Sequence, residues 1–99
     1  AVDIIKELQP KFKNIVVHDP VIKTSELKKA GFKPVSLVAG FQDSNCVLVL
    51  NNHHSFRDLD IYNLLMRMKK PGYFFDGWNL FAPEAIEGVK GIKYGTFGV

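Results

Sequence analysis

A single cysteine, Cys46, serves the whole chain of 99 residues. An internal disulfide is thereby excluded, and a lone thiol inside an apolar run fits a reducing compartment. That run, Cys46 to Leu50, offers none of the polar neighbours that lower a thiol's pKa, so Cys46 reads as an inert core residue. No apolar stretch approaches the length of a membrane span. The opening residues, Ala1-Val2-Asp3-Ile4-Ile5-Lys6-Glu7, have neither the basic region nor the apolar core of a signal peptide, and a cytoplasmic location is the expectation. They read as the middle of a helix, without a cap, as in a segment excised from a larger protein. Arginine occurs only at 57 and 67, and the lysines that bring the net charge to +3 are scattered along the chain. Without a basic stripe interleaved with aromatics, no nucleic-acid partner is expected. Neither G-x-G-x-x-G nor a Walker-type loop occurs, so no dinucleotide is expected to bind this chain in the usual way.

What is present is 46% hydrophobic and suits one domain spanning residues 1–99. Val2, Ile4, Ile5, Leu8 and Phe12 follow helical spacing, cut short by Pro10. Asn14 to His18 is a short strand closed by Asp19-Pro20. Thr24 to Ala30 carries helix signals, with Gly31 a natural stop. Phe32 to Val35 allows a short edge strand, where Pro34 is tolerated. Leu37, Val38 and Phe41 share one face of a brief helix.

Cys46-Val47-Leu48-Val49-Leu50 has neither charge nor alternation, the pattern of a strand buried on both faces. It gives way to the polar loop Asn51-Asn52-His53-His54-Ser55. Asp58 or Asp60 then caps a helical pattern of Leu59, Tyr62, Leu65, Met66 and Met68. Tyr73 to Phe75 is the next strand, Asp76-Gly77-Trp78-Asn79 a turn, Pro83 to Ile86 a helix and Gly91 to Gly95 a last strand. Strands alternating with helices predict an open, mainly parallel, three-layer α/β sheet. Each of three strands ends in a polar cluster: His18-Asp19, Asn51 to Ser55, and Asp76 to Asn79. In a parallel sheet these meet beyond the carboxyl ends of the strands, where such folds bind ligands.

The chemistry of those clusters is restricted. Adjacent histidines in an extended loop point apart, and no pair at i, i+4 lies on a helix, so His18, Asp19, His53 and His54 make a poor metal set and none is expected. The two loop histidines read better as bonded to nearby backbone. Cys46 lies a whole strand before His53, too far for a Cys-His nucleophile. Asp19 and Asp76 are better explained as caps of turns or helices than as an acid/base pair. Trp78, the only tryptophan, stands in a turn, either stacking on a flat ligand or covering a small core.

Taken in order, the motifs resemble a known family. His18-Asp19-Pro20, then Phe41-Gln42-Asp43-Ser44-Asn45-Cys46-Val47-Leu48-Val49-Leu50, then His54-Ser55-Phe56-Arg57-Asp58-Leu59-Asp60, then Phe75-Asp76-Gly77-Trp78-Asn79 is similar to the C-terminal domain of the UDP-glucose/GDP-mannose dehydrogenase family. The His-x-Phe loop looks more like the branch that oxidises UDP-N-acetylhexosamines. The resemblance covers nearly the whole chain and implies a Rossmann-like sheet that binds the UDP part of a UDP-sugar. The full enzymes oxidise the sugar's primary alcohol to a carboxylate in two NAD-dependent hydride transfers, through a cysteine thioester. NAD and the catalytic cysteine would belong to N-terminal NAD-binding and central domains of the parent chain, expected to be a homo-oligomer that serves polysaccharide biosynthesis. This segment alone would hold no cofactor and be inactive.

The resemblance implies that Asn52, His54, Phe56, Asp76, Gly77, Trp78 and Asn79 line the nucleotide end of the pocket. Two departures qualify it. The family turn usually has arginine where this chain has Trp78, and the family's lysine-bearing strand and Arg-x-Ser segment would precede Ala1. The first departure motivates a second reading, a non-catalytic α/β interaction or assembly module that has kept the fold and lost the ligand. A receiver-like domain is excluded, because no acidic cluster follows the first strand.

Overall fold

The computed structural model describes residues 2–12 and 14–96. They fall into two compact units, residues 1–40 and 41–99.

In the first unit, α1 spans Val2–Leu8 and α2 spans Thr24–Lys29. α1 ends ahead of Pro10, whose ring has no amide to continue the ladder. Gly31, at φ 90°, closes α2 from the left-handed region that glycine enters without a Cβ penalty. Behind it the Phe32 amide donates back to the Leu27 carbonyl at 3.0 Å, and both side chains are buried. The strands expected at 14–18 and 32–35 shrink to one parallel bridge, Val17 with Pro34. Val17 N–H donates to the Lys33 carbonyl and Val35 N–H to the Val17 carbonyl, both at 2.9 Å. Both bonds are made by the neighbours of Pro34, whose own missing N–H faces away from Val17, so the proline is tolerated at the centre of the bridge.

α3, Leu37–Phe41, leads into the second unit. There β1 (Cys46–Val49), β2 (Gly72–Asp76) and β3 (Ile92–Thr96) form a parallel sheet in the order β1-β2-β3. Two crossovers link them, one through a short 3-10 turn (His54–Phe56) and α4 (Ile61–Met66), the other through α5 (Pro83–Glu87). α4 is capped by Asp60, not Asp58: its carboxylate accepts from the Asn63 amide at 3.3 Å. Register places Val47, Phe74 and Tyr94 side by side on one face, with Val49, Asp76 and Thr96 beyond them. Right-handed crossovers running in one direction put α4 and α5 on the same face as each other. Phe74, fully buried, anchors the core, with the rings of Phe41, Phe81 and Tyr94 5.9–6.4 Å from it. Leu64, Leu65, Met68, Ile86 and Val89 complete that core.

The other face carries Cys46, Leu48, Tyr73, Phe75, Lys93 and Gly95. Here the structure corrects two expectations. β1 is not buried on both faces, since Leu48 is 38% exposed, and Cys46 is exposed, not core. The five apolar residues in a row concealed an ordinary strand alternation at the edge of this sheet, with Cys46 and Leu48 on its more open side. Partial burial still pushes the Cys46 thiol above its usual range, so little thiolate is present at neutral pH.

Among the described residues the buried Tyr94 hydroxyl has no hydrogen-bond partner. Its ionisation is pushed upward by burial and by the Asp76 charge, against a smaller opposing pull from Thr96. An unsatisfied buried hydroxyl is costly, so Tyr94→Phe should raise stability by about 1 kcal/mol in urea unfolding. The wild-type chain should also lose stability as pH rises past about 10, because the unfolded chain gives up the phenolic proton first. The phenylalanine variant should not show this tyrosine's share of that loss.

Candidate functional site

Beyond the carboxyl ends of β1 and β2 lie the loop from Asn51 to Phe56 and the turn from Asp76 to Asn79, both within the second unit. The turn is built around one carboxylate. Asp76 is 0% exposed, and its Oδ1 accepts from the Trp78 amide at 3.2 Å while Oδ2 accepts from the Phe81 amide at 2.9 Å. Its carbonyl accepts from the Thr96 hydroxyl at 2.6 Å, which ties the end of β3 to the same point. Asp76 therefore holds the turn from inside, with both carboxylate oxygens engaged by the chain itself.

Gly77 joins the turn to the first strand. Its amide donates to the Val49 carbonyl at 2.9 Å, and a Cβ there would stand 2.6 Å from that same oxygen. Only a residue without a side chain allows this approach. Asn79 follows in the left-handed region at φ 54°, a conformation asparagine tolerates better than most residues. Between them Trp78 is turned outward, 54% exposed.

The loop is organised by His53. Its Nδ1 accepts from the Ser55 amide at 3.1 Å and lies 2.8 Å from the Ser55 hydroxyl, capping the 3-10 turn. The His53 and His54 ring centroids are 4.3 Å apart, and those of His53 and Phe56, set edge to face, 6.1 Å. Phe56 is buried beneath the loop, whereas Asn52 and His54 are exposed.

The seven residues that the motifs singled out thus divide. Asn52, His54, Trp78 and Asn79 present side chains to solvent at the ends of two neighbouring strands. Phe56, Asp76 and Gly77 support them from beneath or within. Thr96, unremarked in the sequence, closes the turn; no local signal marks a partner twenty positions on from Asp76. His18 and Asp19 lie in the first unit. There Asp19 Oδ1 accepts from the amides of Val21 and Ile22 at 2.8 and 3.0 Å, as an ordinary turn cap. His18 Nδ1 lies 3.0 Å from the Val35 carbonyl. Beside them is an open depression of about 340 Å³ with Leu27, Pro34 and Val35 in its lining. Among the described residues no three histidine, cysteine or acidic side chains are grouped to hold a metal ion. No helix among them is long and apolar enough to cross a membrane.

Residues 1–83 match the UDP-glucose/GDP-mannose dehydrogenase family, UDP binding domain. The chain belongs to that family. The match takes in every residue of the loop and the turn, and ends where α5 begins. No curated protein matches the chain. A solved structure, that of a phosphoglycerate oxidoreductase from Rhizobium etli, superposes with a TM-score of 0.74 at 16% sequence identity, over 96% of this chain and 30% of that one. At that identity the likeness establishes a shared Rossmann-like α/β fold. The chain spans about 30% of the length of that oxidoreductase. Gly77, the one glycine of the turn, has its open side filled by the Val49 carbonyl.

Proposed function

We propose that this chain binds the UDP part of a UDP-sugar for an NAD-dependent UDP-sugar 6-dehydrogenase, which oxidises a UDP-hexose or UDP-N-acetylhexosamine to the uronic acid. The observation that carries the reading is a family match spanning the loop and turn, together with their exposed side chains at the ends of adjacent parallel strands. Asn52, His54 and Asn79 offer hydrogen-bonding groups, and Trp78 offers an apolar face for the base or sugar. Phe56, Asp76 and Gly77 fix those groups in place. Binding and orientation are the whole of this chain's part. NAD and the nucleophile belong to other domains of the parent.

Trp78 stands where the family usually has arginine, so the ionic contact to the nucleotide is replaced by stacking. As the only tryptophan it is also the reporter. Titration with UDP-glucose should change its fluorescence along a saturable curve and shift the amide resonance of Gly77. Loss of a stacking aromatic typically costs 1–3 kcal/mol per base, so Trp78→Ala should weaken binding about tenfold, followed through the Gly77 amide. A flat titration at millimolar ligand would remove the proposal.

An exposed tryptophan is equally a feature of interaction surfaces, and this favours one second reading, an assembly module without a ligand. A stable oligomer in solution whose formation shields Trp78, with no response to UDP-glucose, is the result that would select it.

A further inference from the structure

We propose that His53 is a proton-operated latch on the ligand-facing loop, holding the turn from His54 to Phe56 closed when neutral and releasing it when protonated. The bond geometry dictates the chemistry. A ring nitrogen that accepts an amide hydrogen must carry its lone pair free, so the Ser55 amide, 3.1 Å from Nδ1, requires the proton of neutral His53 to sit on Nε2. The Ser55 hydroxyl, 2.8 Å from the same nitrogen, completes the cap. Protonation places a hydrogen on Nδ1. The hydroxyl can turn and accept it, but the amide cannot; two N–H groups then oppose each other where a hydrogen bond stood.

Among the described residues, the hydrogen-bond and ring contacts of His53 are with Ser55, His54 and Phe56 alone. Of these contacts His54 is the titratable one, and none is a carboxylate. Histidine is also the side chain that ordinarily changes charge between about pH 5 and 8. The neighbours His54 and Asn52 are two of the exposed groups assigned above to the ligand, so the part of the inference that concerns ligand affinity rests on that assignment. His53 is not one of them; it acts only by positioning the loop.

Two measurements on the 99-residue chain test it. The first needs no ligand: the Ser55 amide resonance and its hydrogen exchange, followed from pH 8 to 5 beside the His53 ring signals. The amide should shift and lose protection with the same midpoint as the His53 ring. In His53→Asn, whose side-chain oxygen accepts from the same amide at every pH, it should stay constant. A Ser55 amide that ignores the His53 titration, or an asparagine variant that keeps the pH dependence, overturns the latch. The second uses UDP-glucose, whose diphosphate is a diester and so does not itself titrate in this range. Its affinity should fall about fivefold between pH 8 and 5, the typical worth of an N-cap, and remain level in His53→Asn. An affinity that falls equally in both proteins rejects the coupling. Absence of binding at any pH defeats the ligand assignment, while the Ser55 amide still decides the latch.

Discussion

Asp76→Ala should lower the free energy of unfolding by about 4 kcal/mol, since each of two orphaned amides costs about 1–3 kcal/mol. The amides are those of Trp78 and Phe81, held at 3.2 and 2.9 Å by the two oxygens of a carboxylate that has no exposed surface. Phe81 is itself buried, which leaves its N–H no route to water once the acceptor is gone. A domain of this size commonly has a margin of only 5–15 kcal/mol, so the variant should unfold at far lower urea. Asp76→Asn separates the electrostatic part from the geometric. Its one carbonyl oxygen satisfies one of the two amides, while its NH2 is set against the other, and about half the loss should remain. A loss below about 1 kcal/mol for the alanine variant would show that another acceptor reaches those amides.

This carboxylate also marks where the sequence stops being legible. Asp76-Gly77 reads as a turn from local chemistry alone, because Asp and Gly at those positions favour it. That the Asp76 oxygens are spent on Trp78 and Phe81 depends on the path of the chain after the turn, which no two-residue pattern records. The same limit explains Cys46. Five apolar residues in a row say that a strand forms. They do not say which face α4 and α5 cover, and Cys46 falls on the more open one. The helices were readable to within a few residues because their stops are local: Pro10 for α1, Gly31 for α2, Asp60 as the cap of α4. Strand pairing in the first unit was not, because its extent depends on a partner seventeen positions away, which no local pattern records. Phe56 joined the ligand-facing set through its motif and lies beneath the loop instead, where a buried aromatic supports the exposed residues around it.

Replacing Gly77 by alanine should cost about 2–3 kcal/mol, the range of forced overpacking in a closed space, and abolish the response to UDP-glucose. The added methyl would lie 2.6 Å from the Val49 carbonyl oxygen and 3.3 Å from the Phe75 ring. The ring can rotate aside; the carbonyl belongs to the backbone at the end of β1 and cannot. That oxygen is also the acceptor for the Gly77 amide at 2.9 Å, so separation of the two segments breaks the bond that brings the turn against the end of β1. The methyl therefore acts on both terms at once, adding repulsion and removing the tie, and it moves Trp78 away from the loop that carries Asn52 and His54. Gly88→Ala is the matched control. Its methyl would meet only the Tyr62 ring at 3.7 Å, an ordinary contact, and its backbone is already helical at φ −70° and ψ −11°. There the smaller entropy of the unfolded chain should raise stability by about 0.5 kcal/mol. Equal behaviour of the two variants in urea would mean that the turn is free to move off β1, and the close approach at Gly77 would then have no part in shaping the ligand surface.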